Sequence, residues 1–417
     1  MAGTDTAAAK TPGSRAPVLP VLAVGAFAIG TDTFVVAGVL PEVARDLDTG
    51  LADAGWVSTA FALTYAVLAP VLGALTGRLE RRTVLLISLA GFALGNAASA
   101  LAPTLGLLLA ARIATAASAA LYIPAASATA GFLAPPERRG RALAVVLGGL
   151  SAATVAGVPF GTWLAADLDW RATFWALAGL GVVCAAAVAG LLPQVRLPAA
   201  PDLAARLAPA RDVRVLLTVV TTLLFMTGGY LALTYVGGVL APATDGDGTT
   251  LALLLLVFGC TAIAGTMLGG RATDRWGAVP VLAVSVAGLA VVLGTLPYSR
   301  DSLTGAVLAM AAWGLAAMAT QPPQQHRLFT IDPGSGPLLL SLNSSATFAG
   351  ISLGGFLGGQ VITHGGTDAL DTLGPAGAAC AALALLVTLV AARGVRTARD
   401  KAPDPTPTAP EPVRDGT

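Results

Sequence analysis

Apolar residues run through this chain in long blocks, and the polar positions fall between the blocks rather than alternating within them. A helix needs about 20 mostly apolar residues to cross the hydrocarbon core of a bilayer. Twelve blocks reach that length, at approximately 18–40, 54–76, 83–102, 105–131, 142–165, 172–192, 214–240, 249–270, 279–297, 303–321, 338–362 and 372–393. The pattern predicts an all-α membrane protein with twelve transmembrane helices, spans 1 to 12. Residues 1–17 are small and polar without a cleavage pattern, and the block behind them is long enough to be retained as a membrane helix. Residues 193–213, with Arg196, Asp202, Arg206, Arg211 and Asp212, read as a polar linker. Residues 394–417 are rich in proline and charge and read as a disordered tail.

Composition narrows the function. Hydrophobic residues make up 55% of the 417 positions and charged residues 11%, against about 25% charged in soluble domains. That excludes a soluble globular protein. The net charge of +1, from 24 basic and 23 acidic residues, offers no patch for nucleic acid. There is no glycine-rich phosphate loop ending in lysine, so ATP is not the energy source. No metal-type Cys/His spacing and no catalytic constellation occur, so neither a cofactor nor an enzymatic activity is expected. Cys184, Cys260 and Cys380 each lie in an apolar block and read as small packing residues.

The basic residues orient the chain. With both termini in the cytoplasm, 20 of the 24 fall inside, Arg45, Arg171 and Arg300 fall outside, and Arg112 lies within a span. The expectation is a multi-pass protein of the cytoplasmic membrane, N- and C-termini inside.

The chain also resembles itself. Residues 151–164 read SAATVAGVPFGTWL and residues 344–357 read SSATFAGISLGGFL, 7 identities in 14 positions at a shift of 193. Residues 73–80, GALTGRLE, and 270–277, GRATDRWG, pair at a shift of 197. The repeat unit is therefore six helices: residues 18–192 form one bundle and 214–393 a second, pseudo-symmetric one.

Two six-helix halves in one orientation, joined by a cytoplasmic linker, resemble the major facilitator superfamily. The resemblance implies a substrate cavity between the halves, alternating access by rocking, and a monomer. The superfamily's loop signature, Gly-x-x-x-Asp-Arg-x-Gly, is matched by Gly270, Asp274, Arg275 and Gly277. The first copy is degenerate: Gly73, Gly77, Arg78, Glu80, Arg81 and Arg82, with Gly77 at the acidic position. An acid there would cap a helix start facing the other half, arginines would tie it in place, and the contact would latch the cytoplasmic side shut. Glu80 is the available substitute, and topology alone also accounts for Arg78, Arg81 and Arg82. In span 5, Gly149, Gly157, Pro159 and Gly161 resemble the antiporter signature of drug-exporting members. Pro159 should bend the helix, while the glycines equally fit close helix packing. With GTDTFVVAGVLP in span 1 and LNSSATFAG in span 11, these motifs resemble the twelve-span drug:proton antiporter branch, which includes bacterial permeases for chloramphenicol, purine nucleosides and arabinose.

The charges inside the bilayer carry the candidate chemistry. Arg112 in span 4 costs at least ~2.5 kcal/mol to insert and calls for a partner. Asp32 is the only acid in any predicted span. Asp32 lies 8 residues before Leu40 and Arg112 lies 8 residues after Thr104, so at 1.5 Å per residue both sit about 12 Å from the outer end. Equal depth permits pairing. Separation and hydration change as a cavity switches sides, so Asp32 can take up a proton on one side and release it on the other, with Arg112 as tuner; a fixed structural ion pair is the alternative. Candidate cavity residues are Thr31, Tyr65, Tyr122, Phe225, Tyr230, Tyr235, Trp313, Gln321 and Asn343, although a polar-tipped aromatic near a span end also fits an interface belt. Trp56, Trp170, Trp175 and Trp276 fit the belt best.

The reading that follows is a secondary active transporter that expels a small amphipathic organic molecule, such as a drug, antibiotic or nucleoside, in exchange for protons. Its partners are then the substrate, protons and the lipid bilayer. A proton-coupled nutrient or sugar importer of the same fold is the alternative, and a membrane sensor has no output domain to support it.

Overall fold

In the computed structural model, residues 18–77, 79–195, 211–332, 336–365 and 369–400 are described. Among them are twelve helices long and apolar enough to cross a membrane: Val18–Asp46, Leu51–Leu75, Arg81–Ala100, Leu105–Leu133, Arg139–Asp167, Trp170–Leu191, Val213–Leu233, Gly248–Trp276, Ala278–Ser299, Leu303–Ile331, Leu338–His364 and Ala369–Ala392. The order and number match the hydropathy blocks. Spans 1 to 6 pack on one another, as do spans 7 to 12, and the halves meet along spans 2 and 11 and spans 5 and 8. Span 6 ends at Leu191 and span 7 begins at Val213, which defines a linker end of the bundle and a far end. Residues 1–17, Arg78, most of the 193–213 linker (196–210) and 401–417 lie outside the described residues.

Several boundaries differ from the sequence expectation. Span 1 continues past residue 40 to Asp46, carrying Glu42 and Arg45 on its last turns. Span 7 stops at Leu233, and the chain goes on in two short helices, Val236–Val239 and Ala241–Thr244. Span 10 restarts as Gln321–Ile331, with prolines in its first turn, where a missing N–H leaves no bond unmade. The last helix runs on to Asp400, in a stretch of alanine and arginine, residues that favour helix. Side chains cap the starts: Asp169 accepts from Arg171 N–H at 3.0 Å, Asp247 from Thr250 N–H at 2.8 Å, and Ser302 from Gly305 N–H at 3.1 Å. Between spans 8 and 9 the chain reverses at Gly277 with φ +84°, a conformation open to glycine at no steric cost.

Span 5 lies on span 1 through glycines. A Cβ on Gly149 would run into the Ala23 carbonyl, one on Gly157 into the Thr31 hydroxyl, and one on Gly161 into Val35 and Thr173. The second half repeats the arrangement: a Cβ on Gly350 would sit 2.6 Å from Met226 Cβ, and one on Gly354 2.7 Å from the Thr227 carbonyl oxygen. Gly157 and Gly350, and Gly161 and Gly354, are separated by the same 193 positions as the sequence repeat. The duplication is thus a packing rule used twice.

Symmetry breaks at Pro159. Residues Ala153–Gly157 form a single wide, π-helical turn just before it. Proline supplies no N–H and its ring crowds the carbonyl four residues back, so the helix widens there. The widened turn presses Thr154 and Val155 against Gly259 of span 8 in the other half. The equivalent residue in span 11 is Ser352, whose hydroxyl donates across the halves to the Thr59 carbonyl at 3.2 Å.

The far end is closed. Pro41 packs on Gly237, Leu51 on Gly238 and Ala166 on Gly248, and the rings of Trp56 and Phe356 meet edge to face at 5.6 Å. Trp170 does not join an interface belt: it is 2% exposed, and its indole N–H donates to Asp46 at 3.2 Å. Cys184 is buried, whereas Cys260 is exposed.

The first loop at the linker end carries hydrogen bonds of Glu80, Arg81 and Arg82. Glu80 caps its own span, accepting from Arg82 N–H and Thr83 N–H, each at 2.9 Å. It also accepts from Val195 N–H at 2.9 Å, while Arg81 N–H donates to the Val195 carbonyl at 2.8 Å. The Arg81 guanidinium donates to the Gly77 carbonyl at 2.9 Å, and Arg82 donates to the Ala189 carbonyl. These bonds tie spans 2 and 3 to the end of span 6 inside one half; the geometry is local because the acid follows the turn and faces its own helix start. In the second copy, Arg275 lies over the Trp276 ring at 5.6 Å, and Gly270 faces open space.

Two outcomes follow. Gly149→Val should lose about 1–3 kcal/mol of stability by overpacking, read as a lower unfolding midpoint in detergent, while Gly148→Ala, where a Cβ meets nothing within 4 Å, should not. Burial raises the Glu80 carboxyl, but hydrogen bonds from Val195, Thr83 and Arg82 outweigh it and hold the group below its ordinary 4.5. Loss of this cap in Glu80→Ala should cost about 1 kcal/mol at pH 7. A depressed carboxyl stabilises the fold above its unfolded value and loses that effect as pH falls through the folded one, so the deficit should shrink below pH 4.5.

Candidate functional site

Span 1 and span 4 bring the two intramembrane charges together. Arg112 Nη1 donates to Asp32 Oδ1 at 2.6 Å, and Nη2 donates to the Asp32 backbone carbonyl at 3.1 Å. Both side chains are 0% exposed. The guanidinium lies 4.4 Å from the Phe61 ring centroid of span 2 and 5.4 Å from that of Phe174 in span 6. Ring faces carry negative quadrupole charge and hold a desolvated cation. The pair is therefore sealed within the first half. Asp32 Oδ2 and Arg112 Nε have no hydrogen-bond partner. A buried carboxylate with one oxygen engaged and one open keeps a site for a proton.

Between the halves lies a cavity of about 410 Å³. Its wall includes Phe34 of span 1, Ser151 and Thr154 of span 5, Met226 and Tyr230 of span 7, Phe258, Thr266 and Met267 of span 8, Met318 and Gln321 of span 10, and Thr347 of span 11. It sits on the linker side of the far-end contacts. Asp32 is two residues from Phe34 on the same helix.

Of the residues expected to line a cavity, Tyr230 and Gln321 do. The others sit elsewhere. Thr31 faces span 5 at Gly157 and donates to the Phe27 carbonyl at 2.9 Å. Tyr65 stacks on Phe348 across the halves, centroids 3.8 Å apart. Tyr122 is buried in the first half and donates to the Leu22 carbonyl at 3.1 Å. Tyr235 donates to the Gly355 carbonyl at 2.7 Å near the far end. Phe225 and Trp313 belong to the core of the second half, with Trp313 edge-on behind Phe258, 6.3 Å between centroids. Asn343 accepts from the Thr222 hydroxyl at 2.7 Å. Gln324 donates to that hydroxyl at 2.9 Å and accepts from Arg327 at 3.2 Å, making a buried network behind the cavity. Tyr235 lies beyond the end of span 7 at Leu233; for the residues inside spans, position along the span gives depth, not the direction a side chain faces.

The residues that sequence reasoning missed are Ser151, Thr154, Thr266, Thr347 and the methionines 226, 267 and 318. Ser151 and Thr154, and Met318 and Gln321, recur at i, i+3, one face of a helix. That spacing was the available signal.

Comparison with known proteins places this architecture. The profile of the Major Facilitator Superfamily matches residues 22–333. The inner membrane transport protein YdhP of Escherichia coli (strain K12) is 33% identical over 347 residues, 83% of this chain and 89% of the relative. A chloramphenicol resistance protein of Streptomyces lividans is 35% identical over 280 residues, 66% of this chain and 71% of the relative. The crystal structure of a bacterial homologue of the human lysosomal transporter Spinster, inward-facing and occupied, superposes with a TM-score of 0.73 at 16% identity, covering 92% of this chain and 98% of that one. With twelve spans, a cavity between the halves and this match, the chain belongs to the Major Facilitator Superfamily and is a multi-pass membrane transporter, not an enzyme.

Proposed function

We propose that this transporter exchanges protons for a small amphipathic molecule leaving the cytoplasm, by alternating access. The observation that carries the reading is the Asp32–Arg112 pair, fully buried in the first half two residues along span 1 from Phe34 of the cavity wall, with one carboxylate oxygen open. The linker end, which collects most of the basic residues, faces the cytoplasm in this reading. With the far end shut, the cavity receives substrate from the cytoplasmic side. Rocking then parts spans 1 and 2 from spans 7 and 11 at the far end, water approaches Asp32, and the carboxylate takes a proton. Protonation weakens its hold on Arg112, and return to the closed-outside state delivers the proton inward. Export, rather than import, is favoured by the resistance relative and by the Gly-Val-Pro turn against span 8. One acid implies about one proton per cycle; a single charge moving through 100 mV contributes roughly 2.3 kcal/mol. The reading takes the transporter to act as a monomer in the cytoplasmic membrane.

Everted vesicles with an acid interior test it. Addition of the transported compound should deacidify the lumen, and Asp32→Asn should abolish that signal. Because Asp32→Asn leaves Arg112 buried without its countercharge, a change that costs about 3–5 kcal/mol, Asp32→Asn/Arg112→Gln should recover the unfolding midpoint while proton exchange stays lost. An unchanged signal in Asp32→Asn rejects the coupling role. Movement of compound and protons in the same direction replaces export by import.

A further inference from the structure

The polar content of the cavity wall is specific. Six polar residues line it: Ser151, Thr154, Tyr230, Thr266, Gln321 and Thr347. Among the described residues in the wall, none is charged. The nearby charges are turned away. Asp32 and Arg112 are closed on each other within the first half, and Arg327 donates to Gln324 behind the wall.

The hydroxyls divide by what they have left to offer. Thr154 donates to the Ser151 carbonyl at 2.8 Å, Thr266 to the Ala262 carbonyl at 3.1 Å, and Thr347 to the Asn343 carbonyl at 3.0 Å. Each has spent its single proton on its own helix and presents only oxygen lone pairs to the cavity. Ser151, Tyr230 and the Gln321 amide are left to donate as well as accept. The rest of the wall is aliphatic, aromatic or thioether, with three methionines that adapt to varied shapes.

We infer that the cargo is an uncharged amphiphile whose apolar body carries hydroxyl or amide groups, and that the cavity excludes organic ions of the same size. An ion in this wall loses its water and gains no countercharge, a burial that costs several kcal/mol. A neutral hydroxyl or amide loses less and finds both acceptors and donors. The volume of about 410 Å³ falls in the ~300–1,000 Å³ range of drug-sized sites. The inference rests on the transport reading above and adds an electrical consequence. Exchange of a neutral molecule for one proton moves one positive charge inward per cycle, whereas exchange of a monocation moves none.

Purified full-length protein tests the charge rule by ligand-induced thermal stabilisation, independently of protons. Chloramphenicol and thiamphenicol serve as neutral amide-diols, tetraphenylphosphonium and ethidium as cations, and anilinonaphthalene sulfonate as an anion. At least one neutral probe should bind tenfold or more tightly than every ion, and Gln321→Leu should weaken it about tenfold. Gln321→Glu, which places a carboxylate in the wall, should weaken the neutral probe and admit a cation. An ion that binds the wild type more tightly than both neutral probes, or neutral binding indifferent to Gln321→Leu and Gln321→Glu, overturns the inference. In proteoliposomes without a pH gradient, a potassium–valinomycin potential should drive exchange of the neutral probe; proton exchange with a monocation, insensitive to potential, overturns the inference and leaves the transport reading standing. Neutral binding without any proton exchange sinks the transport reading while the charge rule survives.

Discussion

A charge inside a bilayer must be closed off by its own protein, and the first half of this transporter is arranged around that necessity. Arg112 has one carboxylate, one backbone carbonyl and two phenyl faces about it. Those partners come from spans 1, 2 and 6, so satisfying one guanidinium on span 4 fixes the relative placement of four helices. The residues around the pair are small where helices must approach: Gly30 against Ala153 and Gly157 against Thr31. A larger side chain at either place would push span 5 from span 1. Charge compensation and close packing are one problem here, because without tight packing the pair would be wetted and without the pair the helices would enclose an orphan ion.

The second half inherits the packing but not the charge. Gly350 and Gly354 seat span 11 on span 7 as Gly157 and Gly161 seat span 5 on span 1. In place of an acid and base, it has the Gln324–Thr222–Asn343 chain of hydrogen bonds. The three side chains of that chain are neutral, and the one charge that joins them, Arg327, donates to Gln324 with no acid in the chain. The duplicated halves have therefore diverged in chemistry while keeping a common contact rule. The asymmetry shows again at Pro159 and Ser352, where one half widens its helix against its neighbour and the other sends a hydroxyl to the Thr59 carbonyl.

Local bonds decide more than motif resemblance at the linker end. Glu80 answers the first orphan N–H groups of span 3 and the Val195 N–H together. This use of an acid is cheap and strong, since it satisfies donors that a helix start always leaves open. It binds the first loop to the end of the first half, at Val195. The second loop reverses at Gly277 with a positive φ, a turn that the repeat's first copy, with Glu80 in the matching position, makes differently.

What the sequence determined is everything that runs along the membrane normal. Length of apolar blocks set the number of spans, arginine placement set their expected direction, and the 193-residue shift exposed the duplication. Counting residues along spans 1 and 4 put Asp32 and Arg112 at one depth, and the structure joins them at 2.6 Å. What only the tertiary structure decided is the direction each side chain faces around its helix. Tyr122 and Trp313 lie within spans yet pack into contacts inside their own halves, while Thr266 and Thr347, spaced along ordinary apolar blocks, meet in the cavity wall. The physical cause is the solvent. In water, a helix declares its inner face by hydrophobic contrast; in lipid, whose tails are as apolar as a protein core, inner and outer faces look alike until other helices are packed against them.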